Sequence, residues 1–215
     1  RESRREDDNI QKVVQYLSAS NSGEVIAIFL NILLGGPLIL IPVQILWMNL
    51  VTDGMTAIAL GVEPAENGIM KRPPREVDKP ILDRYGIIMV LVLGSYIGLV
   101  TLWLFHYYLS QDSENPLLLA QTVAFTGIIV LEKINVLNFR SLHEPMSIIG
   151  FFTNKWLLVA IAFTVALQAC AVYVPFLQEA LHTTAMGWED WGIIILVSLP
   201  IFVITELYKW IRWKK

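Results

Sequence analysis

The sequence has few charged residues and a single cysteine, and each scarcity excludes a class of protein. Charged residues make up 16% of the 215 residues, whereas 55% are hydrophobic. Soluble domains carry about 25% charged residues, so an ordinary soluble fold is excluded. The lone cysteine, Cys170, cannot form an intrachain disulfide, and its apolar surroundings in the sequence predict a buried, inert thiol.

Two further absences concern partners and processing. No basic stripe with interleaved aromatic residues is present, so we expect no nucleic acid as a partner. The first residues, RESRREDDN, are highly charged and lack the apolar core of a signal peptide, and we expect them to continue from an earlier part of a longer chain. The remaining charges are concentrated in short segments, and the apolar stretches between them are long.

These apolar stretches predict an all-α fold, a polytopic membrane bundle of six transmembrane helices. Each stretch has roughly the 20 residues that a helix needs to cross the hydrocarbon core. We expect the chain to form a single transmembrane domain over residues 1–215, embedded in a lipid bilayer. The six spans are predicted at about 14–34, 42–60, 85–109, 117–137, 156–174 and 191–208.

The basic residues predict the orientation of the bundle. Lys and Arg are confined to the segment before the first span, the loops 61–84 and 138–155, and the C-terminal tail, with Lys133 as the exception. Cytoplasmic loops collect basic residues, so both loops and both termini are predicted to be cytoplasmic in a multi-pass integral membrane protein. Lys133 lies near the end of its span, where its side chain is expected to extend towards the same membrane surface.

The second span carries polar side chains in its middle. Asn49, Thr52 and Asp53 are spaced so that an α-helix places all three on one face. A carboxylate inside a membrane span is costly and usually faces an ion, a partner or a cavity. Gly54 follows directly, and it predicts an unwound turn whose free carbonyl groups serve as further ligands.

Two other spans carry carboxylates. Glu24 lies in the first span, with Asn21 three residues before it on the same face, and Glu132 lies in the fourth. Three carboxylates without histidine or cysteine favour a hard cation over zinc or copper. Asn49 and Thr52 are also compatible with helix packing, and Glu132 with an ion pair to Lys133.

Three motifs resemble one known family. SASNSGEV, IPVQILWMNLVTDG and IMKRPPR are similar to the C-terminal membrane half of P-type ATPases, in particular the sarco/endoplasmic reticulum and secretory-pathway calcium pumps. The resemblance extends over essentially the whole chain and implies that the six spans are helices five to ten of a ten-helix protein. Many relatives have proline where Thr56 stands, and Lys133 beside Glu132 is unusual.

The resemblance also implies a function and a ligand set. The transported ion would be calcium, exported from the cytosol in exchange for protons. Helices one to four and the cytoplasmic ATPase domains, which use magnesium and ATP, would lie outside this chain, since no DKTGT phosphorylation motif is present. The implied metal ligands are Asn21, Glu24, Asn49, Thr52, Asp53 and Glu132.

Within this ligand set, Asp53 would be shared between two calcium sites. Asp53→Asn is therefore expected to end binding at both sites. The protein is expected to fold still, because burying a neutral amide costs less than burying an unpaired carboxylate. Two alternatives remain open, an ATP-independent channel or carrier of six helices and a non-transporting membrane scaffold. Manganese, sodium and protons also remain open as cargo, and so does the number of bound ions, one or two.

Overall fold

The described part of the chain folds into a series of helices. The computed structural model describes residues 2–66, 68–71 and 80–214, and the regular elements within them are all helical, which confirms the all-α prediction. In chain order they are α1 (Glu2–Leu33), α2 (Pro42–Leu46), a π-helical segment (Trp47–Asp53), α3 (Gly54–Gly61), a 3-10 turn (Ile69–Lys71), α4 (Arg84–Leu109), α5 (Pro116–Asn135), a second 3-10 turn (Val136–Phe139), α6 (Met146–Ile149), α7 (Lys155–Tyr173), α8 (Pro175–Leu181) and α9 (Trp188–Trp213).

Five helical stretches among the described residues are long and apolar enough to cross a membrane. They coincide with the second to sixth predicted spans. The first predicted span, residues 14–34, falls within α1, which is helical to Leu33 but is not among the five. Asn21, Glu24 and Asn31 lower the hydropathy of this part of α1, so a total of six spans is not confirmed. The five stretches are Pro42–Gly61, Arg84–Leu109, Pro116–Phe139, Lys155–Tyr173 and Trp188–Trp213.

Helix α5 is the central helix of the bundle. Every residue from Thr122 to Lys133 is buried, and α4 and α9 pack against it. The other spans expose large apolar side chains, such as Leu50, Phe163 and Leu196, on their outer faces. A helix that is buried all round and neighbours that are apolar on their outer faces are both expected when lipid is the surrounding solvent. Cys170 is exposed on α7, so the predicted burial of its thiol is wrong.

Helix α1 packs closely along α4 because small residues line their contact. A Cβ atom on Gly23 would lie 2.5 Å from Cγ2 of Ile97, and one on Gly98 would lie 2.8 Å from the carbonyl oxygen of Gly23. Helices in membranes use such small residues to approach closely. This contact fixes the position of α1, which carries Glu24 one residue after Gly23.

The second span contains the π-helical segment Trp47–Asp53 between α2 and α3. Gly54 has helical backbone angles, with φ −56° and ψ −46°, so the predicted unwound turn at this glycine is wrong. The backbone departs from the α-helix before the glycine instead of at it. Single π-helical turns inside longer helices occur frequently at functional sites.

The two predicted cytoplasmic loops are joined by a buried ion pair. Nη2 of Arg140 lies 2.7 Å from Oε1 of Glu63, and both side chains are at most 1% exposed. Asn154 donates a hydrogen bond of 2.6 Å to the other oxygen of the Glu63 carboxylate, and Arg140 also donates to the carbonyl groups of Gly150 and Phe151. Residues 67 and 72–79 of the 61–84 loop lie outside the described part of the chain.

Candidate cation site

Three buried carboxylates from three different elements meet inside the bundle. Glu24 of α1, Asp53 at the end of the π-helical segment and Glu132 of α5 each offer an oxygen, and these oxygens lie within 4.8 Å of one another. The residues are 5%, 1% and 0% exposed, respectively. We call these three residues the carboxylate cluster. The structure thus brings together all three acidic residues that the sequence singled out.

Most oxygens of the carboxylate cluster have no hydrogen-bond partner within the described residues. The unpartnered atoms are Oε1 of Glu24, Oδ2 of Asp53 and both oxygens of Glu132. Burying an ionised carboxylate without a partner is costly, and in a membrane protein such a group usually faces an ion or a proton pathway. The free oxygens therefore form a set of ligands that a cation would satisfy.

The predicted amide and hydroxyl ligands lie around this cluster in different ways. Nδ2 of Asn49 donates to Oε2 of Glu24 at 3.4 Å and to the carbonyl of Ile45 at 3.0 Å. The hydroxyl of Thr52 is fully buried and donates to the carbonyl of Met48 at 2.9 Å, which leaves its oxygen lone pairs available. Asn21 is exposed beside Glu24 on α1.

The three polar residues of the second span differ in exposure. An α-helix would place Asn49 with Thr52 and Asp53, but in the structure Asn49 is exposed whereas the other two are buried. The single-face prediction is therefore only partly right. Asn49 still reaches the cluster through its bond to Glu24, so the cluster lies just beneath the surface at that point.

Lys133 enters the cluster from α5. Its Nζ atom lies 2.7 Å from Oδ1 of Asp53, and the two side chains are each 1% exposed. The side chain does not extend to the membrane surface, so that expectation is wrong. Of the alternatives left open, an ion pair with the adjacent Glu132 is not the one observed, since the partner of Lys133 is Asp53. Consecutive residues point about 100° apart around a helix, which separates the head of Lys133 from the carboxylate of Glu132.

Two hydroxyl groups complete the surroundings of the lysine, and sequence reasoning did not identify either as part of the site. Tyr16 of α1 is fully buried and donates to Oδ1 of Asp53 at 3.0 Å. Thr56 of α3 lies 2.9 Å from Nζ of Lys133 and 3.2 Å from the Tyr16 hydroxyl. The available signal was the polar hydroxyl of Tyr16 in a predicted span, about two helical turns before Glu24.

The donor set of the site consists of oxygen atoms alone. Carboxylate, hydroxyl and amide oxygens suit hard cations such as calcium, whereas zinc and copper sites use histidine or cysteine. The three carboxylates and one ammonium leave an excess of negative charge inside an apolar bundle. This arrangement is suited to binding a hard cation within the membrane region.

Comparison with known proteins shows which family the chain is similar to. Residues 37–211 match the family described as "Cation transporting ATPase, C-terminus". The chain is 31% identical over 231 residues to the protein named "Endoplasmic reticulum calcium ATPase srcA" of Aspergillus fumigatus, covering 94% of this chain and 24% of that protein.

Similar identities are found with plant and bacterial proteins. "Calcium-transporting ATPase 2, endoplasmic reticulum-type" of Arabidopsis thaliana is 33% identical over 260 residues, covering 95% of this chain and 25% of that protein. "Calcium-transporting ATPase 1" of Bacillus cereus is 34% identical over 216 residues, covering 94% of this chain and 24% of that protein. The chain therefore spans about a quarter of the length of these relatives.

Proposed function

Because the chain belongs to the family of C-terminal regions of cation-transporting ATPases, we propose that it is the ion-binding transmembrane module of a P-type calcium pump. The single observation that carries this proposal is the carboxylate cluster. Glu24, Asp53 and Glu132 offer buried oxygens within 4.8 Å of one another, and four of their oxygens have no partner among the described residues. A hard divalent cation supplies the charge and the coordination that these oxygens need.

In the proposed pump, calcium leaves the cytosol through this module and protons return on the carboxylates. Magnesium and ATP act in cytoplasmic domains outside this chain, and helices one to four pack beside it. The exposed positions of Asn21 and Asn49 next to the buried Glu24 support this packing, because a neighbouring helix would cover the cluster there. The six-span count and the ligand role of Asn21, Asn49 and Thr52 are part of the proposal.

The proposal includes the orientation predicted by the basic residues, with both termini and the loops 61–84 and 138–155 in the cytoplasm. Its support is the one-sided distribution of Lys and Arg. A cysteine at Ser113, in the connection before α5, is then expected to react with an impermeant reagent from the opposite side only. Cys170→Ala removes the exposed native thiol from this measurement. Labelling of Ser113→Cys from the cytoplasmic side would contradict the orientation.

The test of function is ATP-driven calcium uptake by the intact protein in lipid vesicles, compared with Glu132→Gln. Both Glu132 oxygens are unpartnered, so the variant loses a free ligand charge without breaking a hydrogen bond. We expect the calcium concentration for half-maximal uptake to rise at least tenfold, roughly 1.4 kcal/mol of binding free energy. Thermal stability without calcium should stay the same or rise, since a neutral amide is less costly to bury.

Glu114→Gln is the matched control, because Glu114 is an exposed glutamate in the connection between α4 and α5. It should leave uptake unchanged. Uptake that needs no ATP would favour a channel or carrier, and the absence of calcium binding to a folded protein would favour a scaffold. Unchanged calcium affinity in Glu132→Gln would remove Glu132 from the site.

A further inference from the structure

The head of Lys133 lies in a shell of oxygen atoms like that of a bound cation. Four oxygens surround its Nζ atom, those of Asp53 Oδ1 at 2.7 Å, the Tyr16 hydroxyl at 2.8 Å, the Thr56 hydroxyl at 2.9 Å and the Thr52 carbonyl at 3.2 Å. An ammonium group has three hydrogens to donate and no lone pair. Every contact is therefore one in which oxygen faces a positive group.

The two oxygens of Asp53 have different surroundings. Oδ1 accepts from both Lys133 and Tyr16, whereas Oδ2 has no partner within the described residues. One side of this carboxylate is thus already occupied by a positive charge carried on the chain. The oxygens that remain without a partner are Oδ2 of Asp53, Oε1 of Glu24 and both carboxylate oxygens of Glu132.

The charges of the cluster also indicate that Lys133 occupies part of the site and leaves the rest for a cation. Three carboxylates and the ammonium of Lys133 leave two negative charges when all are ionised. That net charge balances one divalent cation. Without the ammonium the same three carboxylates carry three negative charges, which one divalent cation does not neutralise, and an unbalanced charge in a low-dielectric interior is strongly unfavourable.

We infer that the ammonium group of Lys133 permanently fills the place of one cation, so that this module takes up a single calcium ion per cycle. This inference rests on the proposed function and narrows it. The expectation of two calcium sites, which came from the resemblance, ignores a cation that the protein itself provides. The transported ion binds to Glu24, Glu132 and Oδ2 of Asp53.

The test is the number of calcium ions bound at saturation to the purified intact protein, measured with radioactive calcium. The unaltered protein is expected to bind one ion. Lys133→Met keeps most of the length of the side chain and removes the charge, and it is expected to bind two. Lys133→Arg keeps the charge and is expected to remain at one.

Lys12→Met is the matched control for removing a buried lysine. The Lys12 side chain is likewise buried, at 2% exposed, and it pairs with Glu66 at 3.0 Å outside the carboxylate cluster. Lys12→Met separates the buried carboxylate of Glu66 from its lysine, as Lys133→Met does for Asp53. The number of bound ions should nevertheless stay at one.

If Lys133→Met folds poorly, the rise of the unfolding temperature with calcium provides a second measurement. A ligand that binds only the folded state raises the unfolding temperature, and a second bound ion should make this rise larger in Lys133→Met than in the unaltered protein. Two ions in the unaltered protein, or one ion in both proteins, would overturn the inference. No calcium binding in any folded variant would instead overturn the proposed function.

Discussion

Replacing Asp53 with asparagine is expected to abolish calcium binding and to destabilise the protein. The change removes the charge that faces both the free oxygens of the cluster and the ammonium of Lys133, which lies 2.7 Å away and is almost fully buried. Removing one partner of a buried ion pair costs about 3–5 kcal/mol, because the other charge stays buried and uncompensated. The measurements are calcium binding and thermal unfolding of the intact protein in detergent.

The double variant Asp53→Asn with Lys133→Met separates the two effects. It removes both charges of the pair, so most of the lost stability should return. Calcium binding should not return, because the variant still lacks the ionised Oδ2 of Asp53 among the ligands, although the net charge of its cluster equals that of the unaltered protein. Near-normal calcium affinity in either variant would show that Asp53 is not a ligand, and equal instability of the single and double variants would show that the pair with Lys133 is not the cause.

Replacing Arg140 with methionine is expected to destabilise the protein by a similar amount, roughly 3–5 kcal/mol. The variant leaves the buried Glu63 carboxylate with Asn154 as its remaining side-chain donor among the described residues. It also removes the donors to the carbonyl groups of Gly150 and Phe151. The measurement is the midpoint of thermal unfolding in detergent, together with calcium affinity at a temperature where the variant remains folded.

Two further variants test whether the loss of stability in Arg140→Met comes from the ion pair with Glu63. Lys155→Met removes an exposed basic residue from the same region, and surface changes of this kind stay within about 0.5 kcal/mol. Glu63→Gln combined with Arg140→Met should lose less stability than the sum of the single changes. Calcium affinity should be nearly normal, since Arg140 bonds to the loop residues and not to the carboxylate cluster. A stable Arg140→Met protein would contradict the role of this ion pair.

The positions of the helices followed from hydropathy, because a membrane span leaves a long apolar stretch that is hard to miss. The stretch in α1 was harder to classify. It is helical through Leu33, yet the polar residues that suggested a site, such as Asn21 and Glu24, also reduce its apolar character. The same side chains thus favour a function and weaken the evidence for a span.

The three carboxylates could be predicted to converge, because each is too costly to leave in a membrane span without a reason. The partner of Lys133 could not be predicted from the sequence. Its choice between Asp53, 80 residues away, and the adjacent Glu132 depends on the direction in which each side chain leaves its helix. Because of this ion pair, we expect Asp53→Asn to destabilise the protein, whereas the sequence predicted that folding would survive the change.

The π-helical segment could not be predicted from the sequence either. Gly54 pointed to a change in the backbone near Asp53, but a glycine permits a distortion without specifying its kind. The observed segment begins at Trp47 and ends at Asp53, so the repeat of the helix changes before the glycine.

The proposed cation site can be located directly by anomalous X-ray diffraction from crystals of the intact protein containing strontium, a heavier analogue of calcium. One anomalous peak is expected within the carboxylate cluster, at coordination distance from Glu24, Asp53 and Glu132, and it should disappear in Asp53→Asn combined with Lys133→Met. A peak at another place in the membrane region, with the cluster empty in a protein that transports calcium, would contradict the assignment of these three residues.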